Sequence, residues 1–198
     1  MTKLKKYRCE WVGSDPRMIR YHDQEWGVPV HNDRELFEFL VLEGAQAGLS
    51  WSTILNRRDG YRKAFSDFNV NKVASYTESD FNRLTQDPSI IRNKLKIKSA
   101  INNAQKFIAV QNEFGSFNDY IWKFVNFKPV HNHFEKLSDI PATTDLSRKI
   151  SKDLKRRGFA FIGPTICYAF IQSIGIVNDH LISCFRFNEI FNMTPSNN

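Results

Sequence analysis

Long apolar runs are missing from this chain: no stretch approaches the roughly 18 consecutive apolar residues that would cross a bilayer. The opening "MTKLKKYRCEW" is basic with no apolar segment behind it, so no secretory signal is expected and a cytoplasmic location is. Cysteine is scarce, and three is an odd number, which argues against a disulfide framework and for thiols used as ligands or core filler. The phosphate-cradling G-x-x-x-x-G-K-[ST], the dinucleotide-type G-x-G-x-x-G, the nucleophile G-x-S-x-G and the metalloprotease H-E-x-x-H are all absent, which removes several large enzyme classes. Nothing points to a redox cofactor. No alternating segment is long enough to propose a sheet, and apart from the polar end "TPSNN", expected to fray, there is no low-complexity tract or repeat.

What is present is helical punctuation on a chain of 198 residues, 41% hydrophobic, enough for one domain over 1–198 with a real core. Asn32 caps an apolar-periodic segment that carries Glu35 three residues on and stops at Gly48. Ser50 can cap "WSTILNRRDG". Further helices are expected at 71–76, at 78–85 after Thr77, at 94–113, at 116–125, at 144–157 and at 164–174 opening on Pro164. The fold class is therefore all-α, built from many short helices.

A net charge of +7 points to an anionic partner, most commonly nucleic acid. Arg92, Lys94, Lys96 and Lys98 surround a break between two helical patterns, a layout suited to phosphates, although a solvated loop has the same composition. The run "SRKISKDLKRRG" reads as an exposed basic helix face. In "NDHLISC", Asn178 can open a helix and place His180 and Cys184 four residues apart on one face, a spacing that suits a shared metal ion and equally a packed cysteine beside a surface histidine. A structural site needs two more ligands from among Cys9, Cys167, His22, His31, His131 and His133. Cys9 and His22 lie together in the N-terminal stretch and would make a Cys2His2 clamp between the two ends of the chain; Cys167 reads as a small core residue. The 3, 4 spacing of Leu36, Leu40, Glu43 and Ala47 turns Glu43 inward, where a carboxylate serves either an internal ion pair or helix cap, or a pocket for a cationic or hydrogen-bond-donating ligand. Trp11, Tyr21, Trp26 and Trp51 gather around these positions, and flat rings hold bases taken out of a duplex.

Taken together and in order, "CEWVGSDPRMIRYHDQEWGVP", "LFEFLVLEGAQAGLSW", "IIRNKLKIKSAINNA" and "RGFAFIGPTICYAFIQSIGIVNDHLISC" resemble the 3-methyladenine DNA glycosylase I family over residues 7–186. The resemblance implies a helix-hairpin-helix glycosylase fold with a loose tail over 187–198, and a structural zinc held by Cys9, His22, His180 and Cys184. It implies that Glu43 contacts an alkylated adenine, that Trp51 stacks on it, and that Tyr21 and Trp11 line the same pocket. Leu49 is expected as a wedge into the duplex, with Arg92, Lys94 and Lys96 on the DNA backbone. The implied activity is hydrolytic release of 3-methyladenine from alkylated double-stranded DNA by a monomer, with no lyase step and no assigned general base. A damage-binding module that does not cut, and a zinc hydrolase of a small substrate, are the competing readings. Met18, Ser89 and Leu95 depart from the family pattern, the first weakening an aromatic pocket wall and the other two altering the hairpin turn.

Overall fold

The segment Leu36–Leu42 is apolar on nearly every side, and a helix with no polar stripe can only lie inside a protein. The computed structural model, which describes residues 6–193, places it at the centre. In chain order the helices are α1 (Pro16–Gln24), α2 (Asp33–Gln46), α3 (Trp51–Leu55), α4 (Arg58–Ala64), α5 (Val70–Ala74), α6 (Glu78–Gln86), α7 (Lys94–Phe114), α8 (Phe117–Trp122), α9 (Asp145–Arg156), α10 (Pro164–Ser173) and α11 (Phe185–Phe191). Helix α2 packs against α3, α7, α8 and α10, and Leu36, Phe37, Leu40 and Leu42 have almost no exposure. Its N-terminal Asp33 carboxylate accepts from the Phe117 and Asn118 amides at 2.9 and 2.8 Å, so one side chain joins the starts of α2 and α8.

The expected all-α class needs one correction. Val130–His131 (β1) and Val177–Asn178 (β2) form a two-residue parallel pair with Val130 opposite Val177. Two residues are too few to leave an alternating pattern. The pairing also removes the helix expected at 178–184: Asn178 is strand, and Cys184 is instead the residue preceding α11. Residues 187–191, expected within the loose tail, complete α11 and bury Phe187 and Ile190, while "TPSNN" lies outside the described residues. Helix α1 went unassigned although Asp15 caps it and Pro16 opens it; "WSTILNRRDG" divides into α3 and α4 at Asn56–Arg57. The other six expected helices are found within a few residues of their expected ends.

Helices α6 and α7 and the turn between them form the hairpin. No glycine is required there: Asp87 accepts from the Ser89 amide at 2.8 Å and from its hydroxyl at 2.6 Å, and Asn93 caps α7 through the amides of Leu95 and Lys96. Leu95 is simply exposed.

At the other end of the molecule, the chain entering α2 is pinned to the end of α10. Val30 donates to the Ile174 carbonyl at 3.0 Å and Gly27 to the Gln172 carbonyl at 3.1 Å, while Trp122 Nε1 donates to the Val30 carbonyl at 2.9 Å. Gly175 makes this approach possible, since its φ is +71° and a Cβ there would sit 2.4 Å from the Val28 carbonyl carbon. Gly175→Ala is expected to lower Tm by roughly 5 °C or more; an unchanged thermal melt would show that the two segments separate without cost.

Candidate functional site

Between the N-terminal segment, α2 and α10 lies a cavity of about 250 Å³. Its walls are mainly rings: Trp11 from the turn before α1, Tyr21 from α1, Trp26 just beyond it, and Trp51 at the start of α3. Tyr21 and Trp51 have ring centroids 5.1 Å apart, and Trp11 meets Trp26 edge-on at 5.0 Å. Met18 packs against the core and is not among the lining residues, so its departure from the family pattern leaves the wall intact. Leu137, Ile140, Gln46, Ala169 and Gln172 complete the lining; Gln46 follows Glu43 by one turn of α2, whereas the other four arrive from elements distant in the chain and their sequence contexts carried no signal.

Glu43 stands in this cavity, almost fully buried, and no basic residue is among those lining it. The expected alternatives of an ion pair or a helix cap are not what is found. Burial drives the carboxyl up to about 8, opposed only by a hydrogen bond from Ser173. Its Oε2 has no partner, and neither has the indole Nε1 of Trp51. One unpaired acceptor and one unpaired donor thus occur on residues lining an aromatic cavity, and buried polar groups are costly unless a ligand satisfies them. Tyr21 is held neutral, its hydroxyl pushed well above its ordinary range by burial first and then by the Glu43 charge.

A smaller cavity of about 180 Å³ also reaches Glu43 and is bordered by Gln46, Leu49 and the first turn of α10 at Thr165 and Ile166. Leu49 is 39% exposed, on the tight turn after α2 where Gly48 has a φ of +77°. Arg92 and Lys94 lie exposed at the hairpin and form no ion pair among the described residues. Lys96 is different: its Nζ donates to the carbonyls of Ala45 and Ala47 at 2.8 and 2.6 Å, closing the C-terminus of α2, and burial pulls its pKa down. Its ammonium is therefore already engaged by backbone, unlike its two neighbours.

Cys9, His22, His180 and Cys184 come together, all buried, with their ligand atoms within 4.8 Å of one another. His180 Nδ1 is 3.6 Å from both sulfurs, and His22 Nε2 is 3.4 Å from Cys184 Sγ. The opposite ring nitrogens are tied down, His22 Nδ1 to Asp23 at 2.8 Å and His180 Nε2 to the Trp26 carbonyl at 3.0 Å. Asp23 is in turn held by Arg8 at 2.8 Å, so each imidazole presents a fixed nitrogen inward, the arrangement that orients ligands to a metal. The Cys184 thiol is pulled down, first by its contact with Cys9 and then by the two imidazoles, while Cys9 is pushed up, first by that same contact and then by burial. This four-residue set can hold a metal ion. Asp23 and Arg8 were not read as site residues, although the adjacency of His22 and Asp23 in "YHDQ" was a visible signal.

Comparison with known proteins gives the family. Residues 11–187 match the methyladenine glycosylase family. DNA-3-methyladenine glycosylase 1 of Escherichia coli is 48% identical over 89% of this chain and 95% of its own length. A crystal structure of a 3-methyladenine DNA glycosylase I superposes with a TM-score of 0.88 at 46% identity, covering 90% of this chain and 98% of that one. A variant of a 3-methyladenine DNA glycosylase I in complex with 3-methyladenine has a TM-score of 0.87 at 37% identity, covering 90% and 96%.

The raised Glu43 carboxyl has a measurable consequence. Between its ordinary 4.5 and about 8, the folded protein keeps a proton that the unfolded chain has released, so stability falls as pH rises through that window. Chemical denaturation at pH 5 and pH 8 should show a smaller loss for Glu43→Gln than for the wild type; equal losses would show that Glu43 is not the buried acid.

Proposed function

Because the chain belongs to the methyladenine glycosylase family, we propose that it extrudes 3-methyladenine from alkylated duplex DNA and hydrolyses its bond to deoxyribose, leaving an abasic site. The observation that carries this reading is the unpartnered Glu43 oxygen among the residues of a cavity walled by Trp11, Tyr21, Trp26 and Trp51. Methylation at N3 places a positive charge on adenine, and such a ring is attracted both to aromatic faces and to a carboxylate. Entry of the cation would draw the proton off Glu43, since an opposite charge favours the ionised form. Glu43 is the assigned catalytic residue: it meets the amino edge of the base and holds it in place while the bond breaks.

The charge also explains how little further machinery is needed. A cationic purine departs neutral, so no acid must protonate it. Neutral adenine offers the buried carboxylate no charge, and leaves the desolvation of Glu43 uncompensated; selection therefore operates at the binding step. Charge moves from base to sugar as the bond breaks, and water attacks an oxocarbenium-like centre. The proposed reaction ends with hydrolysis by water and has no lyase step. Leu49, exposed beside the smaller cavity, is the wedge that fills the vacated position in the duplex, with Arg92 and Lys94 on phosphates. Lys96 contributes to that surface through its charge while its donors hold α2.

Zinc is the ion assigned to Cys9, His22, His180 and Cys184. Tetrahedral zinc with sulfur at about 2.3 Å and nitrogen at about 2.0–2.1 Å has S···N edges of about 3.6 Å, which compares with the 3.4–3.6 Å separations here. Four protein ligands leave no open position for water, so the ion would supply stability and not chemistry.

Two measurements test these assignments. Release of free 3-methyladenine from methylated duplex DNA is expected for the wild type and should fall at least tenfold, the equivalent of about 1.4 kcal/mol, in Glu43→Gln and Trp51→Ala, with Leu49→Ala impaired on duplex substrate. Binding of that DNA without any released base would make the protein a damage sensor. His180→Ala should lose bound zinc and melt at lower temperature; full metal content with an unchanged melt would overturn the ligand set.

A further inference from the structure

Helix α9 carries the second basic run, and its two faces differ sharply. Ser147, Ile150, Ser151 and Leu154 are buried, and the helix packs against α10, which supplies Ala169 and Gln172 to the base cavity. Lys149, Lys152 and Lys155 lie exposed, three residues apart. The neighbouring charges are neutralised within the protein: Arg148 by Asp145, Arg156 by Asp153, and Arg157 by Glu113 and Asp153. The three lysines form no ion pair among the described residues. Over six residues of helix they make a positive track about 9 Å long.

The track begins at a cavity of about 270 Å³ that shares no residue with the base cavity. Phe114, Tyr120 and Phe124 are among its walls, with centroids 5.1 Å apart for Phe114 and Tyr120 and 5.5 Å for Tyr120 and Phe124. Lys149 Nζ lies 5.8 Å from the Phe124 ring centre, and Lys123 Nζ lies 5.8 Å from that of Phe114. Lys123 also forms no ion pair among the described residues. Cations that track a backbone beside rings on which bases stack are the combination by which proteins hold single-stranded nucleic acid.

We infer that the outer face of α9, with the cavity lined by Phe114, Phe124, Lys123 and Lys149, is a second nucleic-acid contact that takes a single-stranded segment other than the one whose base occupies the Glu43 cavity. The phosphates lie along Lys149, Lys152 and Lys155, and one base stacks on the half-buried Phe124, since Arg157 already covers Phe114 and Tyr120. Because the two cavities share no lining residue, one base does not occupy both. The contact holds the protein on DNA without reading sequence.

The probe is undamaged oligothymidine, its affinity measured by fluorescence anisotropy over a salt series for the full chain, the double variant Lys149→Ala with Lys152→Ala, and Phe124→Ala. Loss of two phosphate contacts should reduce the slope of log K against log salt by about 1.4, at about 0.7 per contact for single strands. Phe124→Ala should weaken binding by roughly fivefold or more, the equivalent of about 1 kcal/mol of stacking. Base release from methylated duplex at saturating DNA should be unchanged in the lysine variant, which carries only exposed substitutions. An unchanged slope in that variant would overturn the contact and leave α9 as a solvated face. A reduced slope accompanied by loss of base release at saturation would overturn its separateness, since α9 would then belong to the productive complex. Failure of the wild type to release base, with the slope still reduced, would count against the proposed glycosylase reaction and not against this surface.

Discussion

The attachment of the N-terminal segment to the C-terminal one is the constraint on which the site depends. Trp11, Tyr21 and Trp26, three of the four rings around the base cavity, belong to residues 11–26. That segment is held by Cys9 and His22 against His180 and Cys184, by the Trp26 carbonyl accepting from His180, and by backbone bonds from Gly27 and Val30 to the end of α10. The same residues therefore organise a metal-ligand cluster and a pocket wall. The Trp26 ring lies 4.5 Å from the His180 ring and Trp11 lies 5.4 Å from that of His22, so the cluster and the wall are one packed unit. A change in either reaches the other through direct contact, because close-packed interiors transmit displacement.

Within that frame Glu43 is an energetic liability with a use. A carboxyl buried on α2, raised to about 8 with one oxygen unpaired, lowers stability at neutral pH. A ligand that brings positive charge and hydrogen-bond donors removes that penalty, and one that brings neither does not. A positively charged ligand is thus favoured by the same physics that makes the unpaired buried carboxyl unfavourable. Lys96 shows the opposite solution: an ammonium near the turn between α6 and α7 whose donors are already satisfied by the carbonyls at the end of α2.

Much of this was readable from residue order. Capping residues such as Asn32, Ser50 and Thr77 act within one turn, so helix starts are local events, and six expected helices appear close to their expected limits. The inward direction of Glu43 followed from its 3, 4 spacing with Leu36 and Leu40. The errors have equally local causes. "NDHLISC" looked helical because Asn178 is a good cap, but its backbone pairs with Val130–His131, forty-seven positions away in register, and that pairing outweighs a capping preference. Helix α11 was missed because its seven residues are mostly aromatic or apolar and lack an acidic first turn.

The sequence by itself determined which chemistry was possible: the helical class, the inward carboxylate, the supply of rings, the excess of basic charge, and a short inventory of thiols and imidazoles. Only the tertiary structure decided which of these groups meet. Histidine and cysteine spacing left six candidates for two ligand positions, and the approach of chain segments more than 150 residues apart selected Cys9 and His22. It likewise left Glu43 without a partner and gave Lys96 two. The physical reason is range: caps and periodicity act over one or two turns, whereas ligand sets, cavities and unsatisfied atoms arise from contacts between elements remote in the chain, whose positions are set by packing of the whole core.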